Sequence, residues 1–372
     1  MSRLSNPPES SRTPSPVLRV VVVSGLDADE RFQVCGSLTG GSKAAEAARA
    51  VVEDETDDSG EFALVLADRL LESAHGGASG RAIIELAPET NVMEVGFVLE
   101  TEFENRRGEG TPAELHDLVA VVSVRDVRRW LLSTDPAPAV DYVTAEALAS
   151  QIEFATTVIL TDAPDVGPEQ LTSALGLVQR LNPDARVATS MSTSARSSQW
   201  PGGRGCARRL GQRMGWTQAL ADPDIPATFS HDVGVLVFRD PRPFHPHRLF
   251  DAIRHQLVPQ QIGRIARSRG LVQLATRAAA FGSWRSAGDT VSLDPTGITS
   301  WDAEAPVGQE MVFFGEHLDR EQIITTLQTC LLTDDELLAG PTAWERYADP
   351  FPAWPEHHHH GPRHDFFPSP TQ

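Results

Sequence analysis

Cysteine, lysine and long apolar runs are all scarce in this chain. Cys35, Cys206 and Cys330 are the only cysteines, odd in number, far apart and in no paired spacing. That excludes a disulfide framework and a Cys-based zinc site, and it fits a reducing, cytoplasmic setting. No apolar run reaches the ~18 residues that a membrane span needs. Residues 1–17 are Ser/Pro-rich with no apolar core of signal-peptide type, so they read as a disordered tail. Lys43 is the only lysine. Coding bias accounts for this more simply than selection for arginine chemistry, but it leaves a phosphate site with almost no lysine to draw on.

What is present is ordinary for a soluble globular protein of two domains: 372 residues, 40% hydrophobic and 22% charged. The charge balance is acidic, 32 basic against 51 acidic side chains for a net −19. Such a surface disfavours indiscriminate binding to nucleic acid.

The β-branched run 18–24, ended by Gly25, reads as a buried strand, and runs at 81–85, 118–124 and 157–161 read alike. Helical stretches at 63–73, 126–132 and 168–181 lie between them. Strands alternating with helices imply a parallel α/β sheet covered on both faces. Residues 191–216 break the pattern as an irregular connection running into a basic helix, with a domain boundary near 219–230. The second half reads as α+β. Strands are expected at 233–238, around 270–277, at 290–293 and at 310–314, with a helix entered at Pro246. A capping box at Asp319 and Gln322 opens a second helix, with Ile323, Ile324, Leu327 and Leu331 on one face. The expected organisation is a tail 1–17, a nucleotide-binding-like domain 18–225, an α+β domain 230–340 and a Pro/His-rich tail 341–372, of which 350–372 reads as extended.

A strand ending in glycine invites comparison with the phosphate loop GxxxxGK[ST], whose backbone amides and lysine hold phosphates while its hydroxyl holds magnesium. After Gly25, however, Glu30, Arg31 and Phe32 stand where glycine, lysine and serine or threonine belong. Glu30 obstructs close backbone approach, the carboxylates of Asp27, Asp29 and Glu30 repel a triphosphate, and Phe32 binds no magnesium. Arg31 keeps a charge without the lysine's geometry. The loop reads as a phosphate loop in outline only.

The segments 151–155 (QIEFA), 158–160 (VIL) and 181–185 (LNPDA), then 242–249 (RPFHPHRL), 269–277 (RGLVQLATR) and 330–336 (CLLTDDE), resemble CobW-type GTPases in order along the chain. The resemblance implies a P-loop NTPase-like domain followed by a CobW C-terminal domain, in a family of GTPases that bind zinc or cobalt and deliver it to clients. Carried over position by position, the nucleotide motifs fail. The guanine-reading N-K-x-D falls on Thr161, Asp162, Ala163 and Pro164; the switch segment keeps only Glu85; the GCxCC metal motif falls near 57–60, where no cysteine stands. No nucleotide and no GTPase activity are therefore expected. The ending 344–354 (WERYADPFPAW) resembles an actinobacterial branch associated with zinc limitation, one member of which recruits a ribosome hibernation factor. That resemblance implies an adaptor whose partner is the ribosome or such a factor. Rival readings are a zinc metallochaperone with weak GTP binding and a plain metal buffer.

Two further clusters stand out. His357, His358, His359, His360 and His364 form a candidate zinc site, weak because a flexible run fixes little geometry. His245 and His247 read as capping or orienting the helix after Pro246. Arg204, Arg208, Arg209 and Arg213 could contact RNA phosphate or an acidic protein, or could equally be a solvated helix face.

Overall fold

The computed structural model describes residues 17–38, 58–106, 113–133, 142–189, 203, 205–222, 232–303 and 305–354. Strand β1 (Leu18–Gly25) is central because its valines serve two faces at once. Val20 and Val22 pack towards α2 (Ser59–His75) and α3 (Val92–Asn105), while Val21 and Val23 pack on α1 (Ala28–Leu38). Burial on both faces is what removes polar alternation from a parallel strand. The sheet also contains β2 (Gly80–Glu85), β3 (Ala113–Val122), β4 (Thr157–Leu160) and β5 (Arg186–Ala188), in the order β2-β1-β3-β4-β5, all parallel. After β3 comes α4 (Val124–Asp126), which runs on as a π-helical turn Val127–Leu132, followed by α5 (Tyr142–Glu153) and α6 (Pro168–Leu181).

The connection carries two short helices, α7 (Cys206–Gln212) and α8 (Gly215–Ala221). The second unit opens with β6 (Val233–Asp240), α9 (Pro246–His255) and α10 (Pro259–Ile262). It continues through β7 (Arg264–Val272), β8 (Ala280–Ala287), β9 (Thr290–Thr299), β10 (Gln309–Glu316) and α11 (Arg320–Cys330). Its sheet is antiparallel in the order β6-β10-β7-β8-β9. In β10, Met311 and Phe313 face the α9 and α11 side, whereas Val312 and Phe314 join a core shared with α5 and α6 of the first unit. The unbroken apolar run of this antiparallel strand therefore reflects a sheet covered on both sides. The two units meet through one continuous hydrophobic cluster.

Several sequence expectations shift. β3 starts at Ala113 rather than 118, because its first half alternates polar and apolar residues and lacks the β-branched run. The strand expected near 270–277 is β7, ending at Val272; Ala275–Arg277 is instead a 3-10 turn. Asp319 does cap α11, accepting from the Gln322 amide at 3.0 Å, but its own amide donates to the Ile262 carbonyl, so the cap is not reciprocated by Gln322. The reciprocal box forms one element later, where Thr333 and Glu336 start α12 (Asp334–Ala339). Leu331 lies past the end of α11 and bridges to Phe244.

The stretch up to Trp354 is also docked rather than freely extended. After α13 (Pro341–Trp344), Asp349 takes hydrogen bonds from Thr276 at 2.6 Å and Arg277 at 2.9 Å. Trp354 donates to the Leu293 carbonyl at 3.2 Å beneath the Arg277 guanidinium.

Candidate functional site

In an open parallel sheet, ligands bind beyond the carboxyl ends of the strands where the strand order reverses, here between β1 and β3. What occupies that place is a turn. Only Leu26 and Asp27 separate β1 from α1. Asp27 caps the helix, its Oδ1 accepting the Glu30 amide at 2.9 Å while its carbonyl accepts the Arg31 amide at 3.1 Å. The helix N-terminus that would attract phosphate thus already holds a carboxylate. Gly25 is needed for another reason: a Cβ there would lie 2.6 Å from the Val121 carbonyl of β3.

Arg31 does not reach outward as a phosphate-binding lysine does. Its Nη1 donates to the carbonyls of Gly25 at 2.7 Å and Leu26 at 3.1 Å, and its Nε lies 3.3 Å from the Glu85 carboxylate. Both side chains are buried. Arg31 and Glu85, expected from the sequence to stand at the phosphate-loop cation and the switch glutamate, therefore face each other. Phe32 is half exposed on α1. Burial first, then the carboxylates of Asp27, Asp162 and Asp126, push the Glu30 carboxyl above its usual range, with Thr161 working against them.

The base-reading position is also taken up internally. Thr161 donates its amide to the Val122 carbonyl at 3.1 Å. The Asp162 carboxylate accepts from the amides of Val124 at 2.6 Å and Arg125 at 3.2 Å and from the Ser123 hydroxyl at 2.9 Å, which caps α4. Where the GCxCC motif would fall, Asp58 starts α2, accepting the amides of Gly60 at 2.8 Å and Glu61 at 3.3 Å. The residues present do not fit a magnesium triphosphate. Among the described residues the turn supplies no amide cradle, Arg31 is engaged with its carbonyls, and the carboxylates of Asp27, Asp126 and Asp162 act on Glu30 beside it.

The metal candidates His357, His358, His359, His360 and His364 lie outside the described residues, as does Arg204. Among the described residues no group of His, Cys, Asp and Glu is arranged to hold a metal. Burial pushes the thiols of Cys206 and Cys330 upward, Cys330 to about 11, so both are packing groups rather than thiolates. His245 does cap α9, accepting the Arg248 amide at 3.5 Å, and stacks on Tyr347 with ring centroids 4.6 Å apart.

The basic helix does not protrude. α7 packs Cys206, Ala207 and Leu210 into the first unit's core, and the Glu100 carboxylate accepts the amides of Ala207 at 3.2 Å and Arg208 at 3.0 Å. Arg208 pairs with Glu104 at 2.5 Å and Arg213 with Asp184 at 3.1 Å. The stretch lacks acids in sequence, but α3 and the residues before β5 supply them in space.

The sequence motifs did not disclose the seam between the units. Arg267 is fully buried and donates to Glu153 at 2.8 and 2.9 Å, to Glu146 of the same helix and to the Ser286 carbonyl. Arg269 adds a bond to Glu153 at 2.7 Å. Burial alone would raise the Glu153 carboxyl, but the Arg267 and Arg269 guanidiniums override it and hold the group below the usual carboxylate range. Glu153 belongs to the QIEFA segment and Arg269 opens the RGLVQLATR segment, so two motifs distant in sequence are one contact.

Residues 233–331 match the cobalamin synthesis protein cobW C-terminal domain. The chain is 26% identical over 228 residues to the zinc-regulated GTPase metalloprotein activator 1 of Dictyostelium discoideum, covering 55% of this chain but only 48% of that relative. It is 27% identical over 320 residues to a zinc chaperone of Mycobacterium tuberculosis, covering 77% of this chain and 74% of that one. Among solved structures, the zinc-bound YjiA GTPase from E. coli aligns at 15% identity and a TM-score of 0.34, over 85% of this chain and 99% of that one. No described helix is long and apolar enough to cross a membrane. The second unit thus matches the cobW C-terminal domain, and along the chain as a whole the protein is similar to relatives named for zinc regulation and zinc delivery.

Proposed function

We propose that this chain is a non-hydrolysing CobW-type adaptor of the zinc-limitation response, which brings a translation-silencing hibernation factor to ribosomes. The observation that carries the first half is the Arg31–Glu85 pair closing the two-residue turn after β1. A GTPase needs the turn to open into an amide cradle and its cation to meet phosphate. Here Arg31 is bonded to the carbonyls of the turn itself. The relatives' names, a zinc-regulated GTPase metalloprotein activator and a zinc chaperone, support a role in zinc handling. The ribosomal half rests on the resemblance of the ending 344–354, which the structure docks against the second unit through Asp349 and Trp354.

Calorimetry with GTP and magnesium is the direct test, with no binding expected in the micromolar range. Micromolar affinity, or turnover that disappears in Glu85→Ala, would overturn the adaptor reading in favour of a chaperone. Affinity purification from zinc-starved and zinc-replete cells addresses the partner; a ribosome-associated protein should be recovered under starvation.

The metal-buffer reading makes a separate prediction for the His-rich ending. Zinc bound there should dissociate below about pH 6 as the imidazoles protonate. An unchanged zinc stoichiometry after deletion of residues 356–365 would place any metal elsewhere.

A further inference from the structure

The loop between β9 and β10 turns two large apolar side chains outward, Trp301 at 77% exposure and Val307 at 86%. Single exposed apolar residues are ordinary on a protein surface and say nothing alone. What sets this pair apart is a loop pinned at both ends. At one end Ser300 donates its amide to the Ala279 carbonyl at 3.0 Å and its hydroxyl to the Ala278 carbonyl at 2.5 Å, while Asp302 accepts the Thr299 amide at 2.7 Å. At the other, Gly308 passes so close to β6 that a Cβ would lie 2.2 Å from the Asp240 carbonyl. The buried Gln309 amide then ties the loop to the carbonyls of Arg242 at 2.9 Å and Gln273 at 3.1 Å. A partner that meets these side chains therefore has little loop ordering left to supply.

Trp301 also differs from the other described tryptophans. Trp216, Trp284 and Trp344 donate their indole N–H to Met214, Ser268 and the Glu336 carbonyl. Trp130 lies under the Arg129 guanidinium at 4.7 Å, and Trp354 under that of Arg277 at 4.5 Å. Trp301 has neither a hydrogen bond nor a cation on its ring among the described residues. The chain thus covers two of its own indole faces with guanidinium and leaves this one in solvent.

Charge selects the occupant. Residues 300–308 include two acidic residues and no basic one, in a chain of net charge −19. The guanidinium at the foot of the loop, Arg242, is already forked onto Asp240 at 2.9 Å. An indole in an acidic loop attracts a cation, arginine above all, because the ring quadrupole and the carboxylates act in the same direction. The same acids repel nucleic acid phosphate and anionic lipid.

We propose that this tip docks a basic segment of a partner protein, with an arginine laid over Trp301 and an aliphatic side chain against Val307. Docking here is independent of the adaptor reading, since it needs neither zinc, nucleotide nor a ribosome.

Random dodecapeptides displayed on phage, selected on the full chain and counter-selected on Trp301→Ala, supply the probe. The enriched sequences should pair arginine with aliphatic residues. As synthetic peptides in fluorescence anisotropy they should bind the unaltered chain at least about tenfold more tightly than Trp301→Ala, the loss usual for a tryptophan anchor. Affinity should fall as salt rises. Trp301 is exposed, so Trp301→Ala should melt within about 2 °C of the unaltered chain, and lost binding then reads as lost contact. No peptide that discriminates the two proteins, or an enriched set without basic residues, would overturn the proposal. So would Trp301-dependent binding to phosphatidylglycerol vesicles or to a uridine oligonucleotide, or Trp301-dependent self-association in sedimentation, which would make a membrane, a nucleic acid or a second copy the occupant.

Discussion

Arg31 and Arg267 are both buried arginines facing glutamate, yet they do different things. Arg31 gives its best hydrogen bond, 2.7 Å, to a backbone carbonyl of its own turn and meets Glu85 through a single 3.3 Å contact. Arg267 forks onto Glu153, reaches Glu146 and takes in the Ser286 carbonyl. The first arrangement closes a site within one unit. The second joins two units, its guanidinium from β7 and its carboxylates from α5. A buried ion pair is stable only when its remaining donors and acceptors are met, and the seam meets that condition more fully. Among the described residues the seam, more than the turn after β1, is built tightly around charge.

The largest effect should follow from unbalancing the seam. Arg267→Met leaves Glu146 and Glu153 buried without their main partner and is expected to cost about 3–5 kcal/mol in denaturant unfolding. The two carboxyls sit below their unfolded pKa values. Their contribution should therefore be complete above about pH 5 and be lost as pH falls through the depressed folded values. A loss under 1 kcal/mol would mean that the shared apolar core alone carries the contact.

Asp117 sharpens the contrast, because it is a buried carboxylate with no guanidinium bonded to it among the described residues. It accepts from the Thr156 hydroxyl at 3.2 Å and lies 3.6 Å from the His116 ring. Burial raises it to about 7, with the Thr156 hydroxyl and then the charges of Arg81 and Arg186 opposing. A raised carboxyl binds its proton more tightly folded than unfolded, so stability falls as pH rises from about 4 to 7. Asp117→Asn keeps the hydrogen bond from Thr156 and removes the charge. It should stabilise the chain by about 2–4 kcal/mol at pH 8 and by almost nothing at pH 4. Thermal melts at the two pH values read the difference, and an equal effect at both would refute it.

At the switch point the expected change is smaller. Arg31→Met removes two hydrogen bonds to carbonyls that the turn exposes only partly, and should cost about 1–3 kcal/mol by chemical denaturation. A cost as large as that of Arg267→Met would erase the distinction between the two arginines.

The legible parts of the sequence were those governed by one local rule. The valines of β1 announced a doubly covered strand, Pro168–Leu181 agrees with its helical reading to the residue, and His245 caps as its place before Pro246 suggested. The departures Glu30, Arg31 and Phe32 set the loop apart in sequence from GxxxxGK[ST]. They did not reveal that Arg31 turns back onto Gly25 and Glu85, since that requires knowing how short the turn is. α3 was missed because its apolar positions face a sheet and α7 together, which blurs any single stripe. The Glu153–Arg267 contact spans more than a hundred positions, and no spacing rule reaches that far.

The smallest stability effect should come from the basic helix, and it bears most on the partner. Arg208 and Arg213 are exposed by half or more, and each already faces a carboxylate, Glu104 and Asp184. Exposed pairs of this kind contribute little, so reversing Arg208 and Arg209 to Glu should change unfolding by about 0.5–1 kcal/mol. The consequence for RNA is greater than for stability. An arginine whose charge is already offset by a neighbouring carboxylate gives phosphate less attraction, and a chain of net charge −19 adds repulsion at long range. If the proposed contact with ribosomes is made, a basic protein partner therefore fits this surface better than direct contact through α7. In co-sedimentation with the partner present, the double reversal should leave binding within about twofold, with a shallow salt dependence. Tight binding to bare ribosomes, abolished by the reversal and falling steeply with salt, would assign the contact to these arginines instead.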